Sequence, residues 1–190
     1  MSNNAYKVMM KRLFDAQTNF HSYWDSWLRR GQCGEEPLEL SEARKEFLQA
    51  ENELWEKLLF PLQEKFAGDP ASAVDDVIDF IEVDIPAFRC GYVKERFLRR
   101  LKSVQLTEGQ QSRLRNIAVT MCKKGRLTRE FRYWVRLMNL LANSDFVSEL
   151  REIALTDSER SRYAANIMLK SIASQRTDLF IEERTSPVDQ

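Results

Sequence analysis

The chain has 190 residues, 43% of them hydrophobic and 31% charged, with 29 basic and 29 acidic side chains and a formal net charge of zero. That is the make-up of an ordinary globular protein with enough chain to bury a proper core, as one domain or one domain with a helical extension. No apolar run approaches the roughly 18 residues of a membrane span, and the start, Met1 to Arg12, lacks the apolar stretch of a secretory signal, so a cytoplasmic location is expected.

Residues 5–30 read as one long helix, because Tyr6, Met10, Leu13, Phe20, Trp24 and Trp27 recur at helical spacing. Met9, Phe14 and Leu28 widen that stripe. Gly31-Gln32-Cys33-Gly34 stops the helix, since paired glycines favour a C-cap. After a loop over 31–41, Ser41 is expected to cap a second long helix, 42–66. Its stripe is Ala43, Phe47, Ala50, Leu54, Leu58 and Leu62, with Leu48, Trp55 and Leu59 beside it. Pro61 should kink or end that helix near Leu59. A short join between two long helices makes an antiparallel hairpin.

Gly68-Asp69-Pro70 places a breaker, an N-cap and a first-turn proline in order. The helix that follows turns Val74, Val77, Ile78 and Ile81 inward, and Asp84-Ile85-Pro86 breaks the chain again. A helix over 87–103 turns Phe88, Tyr92, Phe97, Leu101 and Val104 inward, with Lys94, Arg96, Arg99, Arg100 and Lys102 outward. Thr107 and Gln110 form a capping box for the next helix, whose inner face is Leu114, Ile117, Ala118, Met121 and Cys122 and whose end is Gly125. A helix over 128–142 buries Phe131, Trp134, Val135, Met138 and Leu141, while Arg129, Arg132 and Arg136 line its outer face. Residues 145–155 use Phe146, Leu150 and Ile153. A second capping box, Thr156-Asp157-Ser158-Glu159, opens a last helix carrying Tyr163, Ala164, Ile167, Met168 and Ile172 to about residue 175. Leu179-Phe180-Ile181 can dock on the core, and 182–190 forms a frayed tail.

With no sustained period-2 alternation, the fold class is all-α: a long N-terminal helical hairpin over 1–67 packed on stacked short helical pairs over 68–181. The rhythm of short helices and turns from about residue 70 resembles the stacked pairs of HEAT or armadillo proteins, and an irregular bundle fits nearly as well. The resemblance is architectural and brings no functional residues with it.

Charge is distributed unevenly. Residues 31–88 carry a net −11 and residues 89–136 a net +11, the latter from 14 basic and three acidic side chains. Such blocks imply either faces paired internally or a charged partner.

Reaction chemistry is sparse. The single histidine, His21, excludes any multi-histidine metal site, and the di-iron E-x-x-H spacing is missing because Thr18 stands three positions before it. Cys33, Cys90 and Cys122 are too few and too widely spaced for a disulfide framework. With His21 they would make a zinc set, but one lacking the close ligand pairs that pre-orient such sites. Asp75, Asp79 and Glu82 share a helix face that reads as solvated rather than as a cation site. Phosphate-cradling and nucleophile-elbow motifs do not occur. No metal and no cofactor is expected.

The basic block has three readings: a solvated or internally paired face, a docking site for an acidic protein, or a nucleic-acid surface on which Tyr133 and Trp134 would stack against bases. An isoelectric point near 6.6 argues against a dedicated nucleic-acid binder. The expectation is a non-enzymatic interaction protein of adaptor, inhibitor or immunity type that binds an acidic protein through Arg96, Arg99, Arg100, Arg129, Arg132 and Arg136. Nucleic acid is the alternative ligand of the same face. Trp24 and Trp27 are large for a terminal helix to bury alone, which suggests a homodimer contact through the first helix.

Overall fold

The computed structural model describes residues 3–29, 36–83, 90–156 and 158–185. Every regular element among them is helical and none is a strand, so the fold is all-α. No helix among these residues is long and apolar enough to cross a membrane. The chain forms two compact units, Met1–Lys94 and Glu95–Gln190.

In the first unit α1 (Asn3–Arg29) and α2 (Leu38–Leu54) pair antiparallel. The direction follows from the contacts: Arg12 pairs with Glu53 at 2.5 Å, Phe20 stacks on Phe47 at 5.7 Å, and Arg44 lies over Trp24 at 6.0 Å. Tyr6, Met10 and Leu13 are fully buried, and each such side chain contributes about 1.5–3 kcal/mol relative to exposure. Phe20, Trp24 and Trp27 are half-buried, whereas Phe14, Leu28 and Leu48 face solvent instead of widening the stripes.

Two expectations about the second helix are corrected. It starts at Leu38, directly after Pro37, and Ser41 N–H already donates to Pro37 O at 3.0 Å, which makes Ser41 an interior residue rather than the cap. Pro61 neither ends nor breaks the run. A π-helical turn, Trp55–Leu59, absorbs it, and α3 (Phe60–Gly68) continues.

Asp69 then caps α4 (Pro70–Glu82) by accepting from Ser72 N–H at 3.3 Å. That bond holds the Asp69 carboxyl below its usual value. Val74, Val77, Ile78 and Ile81 are buried together with Ala73 and Phe80. On the acidic face Asp75 and Glu82 are exposed and Asp79 is half-buried. Burial, and then Asp76 and Asp79, raise the pKa of the enclosed Tyr6 hydroxyl. Lys65 ties α3 to α4 through Asp76 at 2.8 Å.

Helix α5 (Cys90–Leu101) carries the division between the units. Lys94 was expected outward but is buried. Its Nζ donates to Val83 O at 3.0 Å and lies 5.9 Å from the Phe80 ring centroid. A cation at the C-terminal end of α4 meets the negative end of that helix, which is why the charge is tolerated inside. Tyr92, expected inward, is 54% exposed.

In the second unit α6 (Glu108–Lys123), α7 (Phe131–Leu141), α8 (Ser144–Ile153) and α9 (Glu159–Thr185) form the core, with α9 packed on the other three. The Thr107–Gln110 capping box is present in both directions. Gly125 ends α6 at φ +59°, its N–H donating to Cys122 O while Arg126 N–H donates to Met121 O. This is the paired-bond C-cap that favours glycine. Asn143 caps α8 by accepting from Phe146 N–H at 2.9 Å, a start the hydrophobic pattern did not disclose.

The expected box at Thr156 is not built. Thr156 Oγ1 donates back to Ile153 O, and Ser158 Oγ accepts from Ser161 N–H at the start of α9. Tyr163 is exposed, and α9 runs ten residues past the expected end at 175. The turn at Gly31-Gln32-Cys33-Gly34, the break at Asp84-Ile85-Pro86, Phe88, Asp157, the side chains of Leu179-Phe180-Ile181, and residues 186–190 lie outside the described residues.

Candidate functional site

The basic segment organises itself around a tyrosine. Tyr133 lies in the first turn of α7, whose inner face also holds Phe131, Trp134, Leu137 and Met138, and it is only 5% exposed. Three guanidinium carbons stand over its ring: Arg132 at 4.7 Å and Arg99 and Arg136 each at 5.7 Å from the centroid. The negative face of an aromatic ring attracts each of these cations. The Tyr133 hydroxyl accepts from Arg132 Nη2 at 2.7 Å and donates to the Glu95 carboxylate.

Glu95, on α5, is the counter-ion. Its Oε2 accepts from Arg129 Nε at 3.2 Å, and its Oε1 lies 3.8 Å from Arg132 Nη2 and 3.9 Å from Arg99 Nη1. The Glu95 side chain is 11% exposed, whereas Arg129, Arg132 and Arg99 remain 56%, 60% and 61% exposed. One edge of each guanidinium is therefore held inside while the other meets water. Arg99, Arg129 and Arg132 share the Glu95 carboxylate, and Arg136 joins Arg99 and Arg132 over the Tyr133 ring. Solvent screens these pairs, so they orient the arginines more than they stabilise the fold.

The Glu95 carboxyl is held below its usual value of 4.5, first by the Tyr133 hydrogen bond and then by Arg129 and Arg132, with burial opposing them. A pKa lowered on folding gives stability that is present above the unfolded value and lost as pH falls through the folded one. Wild-type urea midpoints should thus fall between about pH 6 and about pH 3.5, and Glu95→Gln should flatten that decline. An equal decline in the variant would remove Glu95 from the account.

Of the six arginines expected at a binding face, Arg99, Arg129, Arg132 and Arg136 are brought together, and Arg96 and Arg100 add exposed charge on α5. One placement is corrected: Arg129 lies in the turn before α7, not on the helix, because α7 begins at Phe131. Tyr133 and Trp134 are not a stacking platform, being 5% and 2% exposed. Arg115 is internal as well. It is 7% exposed, pairs with Glu108 and donates to Leu141 O at 3.1 Å near the end of α7. The central roles of Glu95 and Tyr133 escaped the sequence reading. The only local hint was Glu95 four residues before Arg99, a favourable helical pair.

Elsewhere, His21 is exposed beside Phe20. Cys90 and Cys122 are buried against the sulfurs of Met10 and Met168, and burial pushes both thiols up to about 12, which keeps them protonated and poorly nucleophilic. Cys33 lies outside the described residues. Comparison with protein-family models, curated proteins and solved structures finds no match. What the cluster can do follows from its own chemistry: planar cationic forks, half-held, suited to carboxylate or phosphate oxygens.

Proposed function

We propose that this chain is a non-enzymatic interaction protein of adaptor, inhibitor or immunity type. It docks an acidic protein surface on the face built from Arg96, Arg99, Arg100, Arg129, Arg132 and Arg136. The observation that carries this reading is the gathering of three guanidiniums over Tyr133, with Arg129 and the Glu95 carboxylate beside them. Arginines already held by a ring and a counter-ion lose less side-chain freedom on binding than free ones. Their solvent-exposed guanidiniums steer an acidic partner and speed encounter. The same reading places the protein in the cytoplasm and a homodimer contact at Trp24 and Trp27.

The test begins with affinity capture from the native host and identification of the partner by mass spectrometry. Arg129→Glu, Arg132→Glu and Arg136→Glu together should then weaken that complex at least about a hundredfold. Because two of these arginines touch Glu95, the corresponding Arg→Gln triple is run beside it, with circular dichroism to check folding. Unchanged affinity in both folded triples defeats the proposal. Nucleic acid on this face would instead show binding to generic DNA or RNA that weakens by orders of magnitude between about 50 and 200 mM salt. The burial of Tyr133 and Trp134 withdraws the two rings expected to stack on bases.

A further inference from the structure

Pro61 creates a second feature, in the first unit and of opposite sign. A proline has no N–H to give to the carbonyl four residues back, here that of Lys57, and its ring clashes with that carbonyl in an unbroken α-helix. The π-helical turn relieves this: Phe60 N–H donates to Trp55 O, five residues back. In an α-helix, at about 100° per residue, positions 55 and 60 would point roughly 140° apart. The wider register brings them to one side. Their rings lie 5.3 Å apart, tilted by 47°, and Phe60 is 53% exposed.

Glu51, Asn52 and Glu56 stand beside the two rings, and the five residues line a cleft of about 350 Å³. Glu51 is buried and Glu56 is exposed, so carboxylates flank the rings at two depths. An apolar occupant would cover the exposed Glu56 carboxylate without replacing its water, which is costly. A cation satisfies the ring faces and the Glu56 carboxylate together. The surrounding block, residues 31–88 at a net −11, draws the same kind of partner.

We propose that the Trp55–Phe60 cleft binds a cationic side chain, the ammonium or guanidinium of a basic peptide segment. The site is independent of the arginine face and goes beyond the function proposed for it. Its test is a ¹H–¹⁵N titration of the Trp55 indole with a hexalysine peptide, with hexaserine at matched ionic strength as the neutral control. Hexalysine should shift the Trp55 resonance saturably, and hexaserine should leave it in place. Phe60→Ala and Glu56→Gln should each weaken hexalysine binding about three- to fivefold. Both side chains are exposed, so the remaining spectrum should be unchanged. An unmoved Trp55 resonance, or an equal shift with hexaserine, overturns the proposal. So does Asp75→Asn, an exposed carboxylate on α4, weakening binding as much as Glu56→Gln, for the attraction would then be diffuse.

Discussion

Gly125→Ala should cost the second unit about 2–4 kcal/mol, a large part of the stability of an ordinary domain. Two separate effects add. At φ +59° an L side chain is strained by about 1–2 kcal/mol. A Cβ placed there would also lie 2.7 Å from Arg160 Cβ and 3.1 Å from both Arg160 C and Ser161 N, atoms of the α9 backbone or next to it that no rotamer change can move. Relief would require the start of α9 to withdraw. That would stretch the bond from Ser161 Oγ to Lys123 O, now 2.8 Å, in a serine only 3% exposed. Urea unfolding followed by circular dichroism checks the value. Gly125→Asn separates the effects, because asparagine accepts this φ but still brings a Cβ. A loss below about 1 kcal/mol in the alanine variant would mean that the close approach of α6 and α9 is not constraining.

Trp134→Ala is expected to cost about 3–5 kcal/mol, the usual range for a large aromatic removed from a packed interior. The indole is 2% exposed on the inner face of α7, between Tyr133 and Leu137 in a helix whose other buried residues face the same core. Trp134→Phe should recover much of that loss by keeping the cavity partly filled. The measurement is again a urea midpoint. A variant that folds with wild-type stability but binds a polyanion less well would return Trp134 to the surface role suggested by its place among arginines.

The elements that were legible in the sequence are those whose determinants lie within one helical turn. Asp69 with Pro70, Thr107 with Gln110, and the end at Gly125 behave as their local chemistry dictates. So do the stripes of α2 and α4, where every residue expected on the main apolar face is buried. Pro61 was recognised as a disturbance, but its outcome was not, since a proline can kink, end or widen a helix and the packing of Leu58, Leu59 and Leu62 selects among these. Lys94 was misplaced because the carbonyl it serves, Val83 O, belongs to another helix.

The candidate site divides the same way. The order of residues along the chain determined that positive charge is concentrated over 89–136 and that every regular element among the described residues is a helix. Only the tertiary structure decided that Arg129 meets Glu95, 34 residues away, and that Tyr133 becomes the ring on which Arg99, Arg132 and Arg136 converge. Periodicity and capping act between neighbours along the chain and can be read there. Ion pairs and ring contacts depend on distance in space, which the chain acquires only when its helices pack.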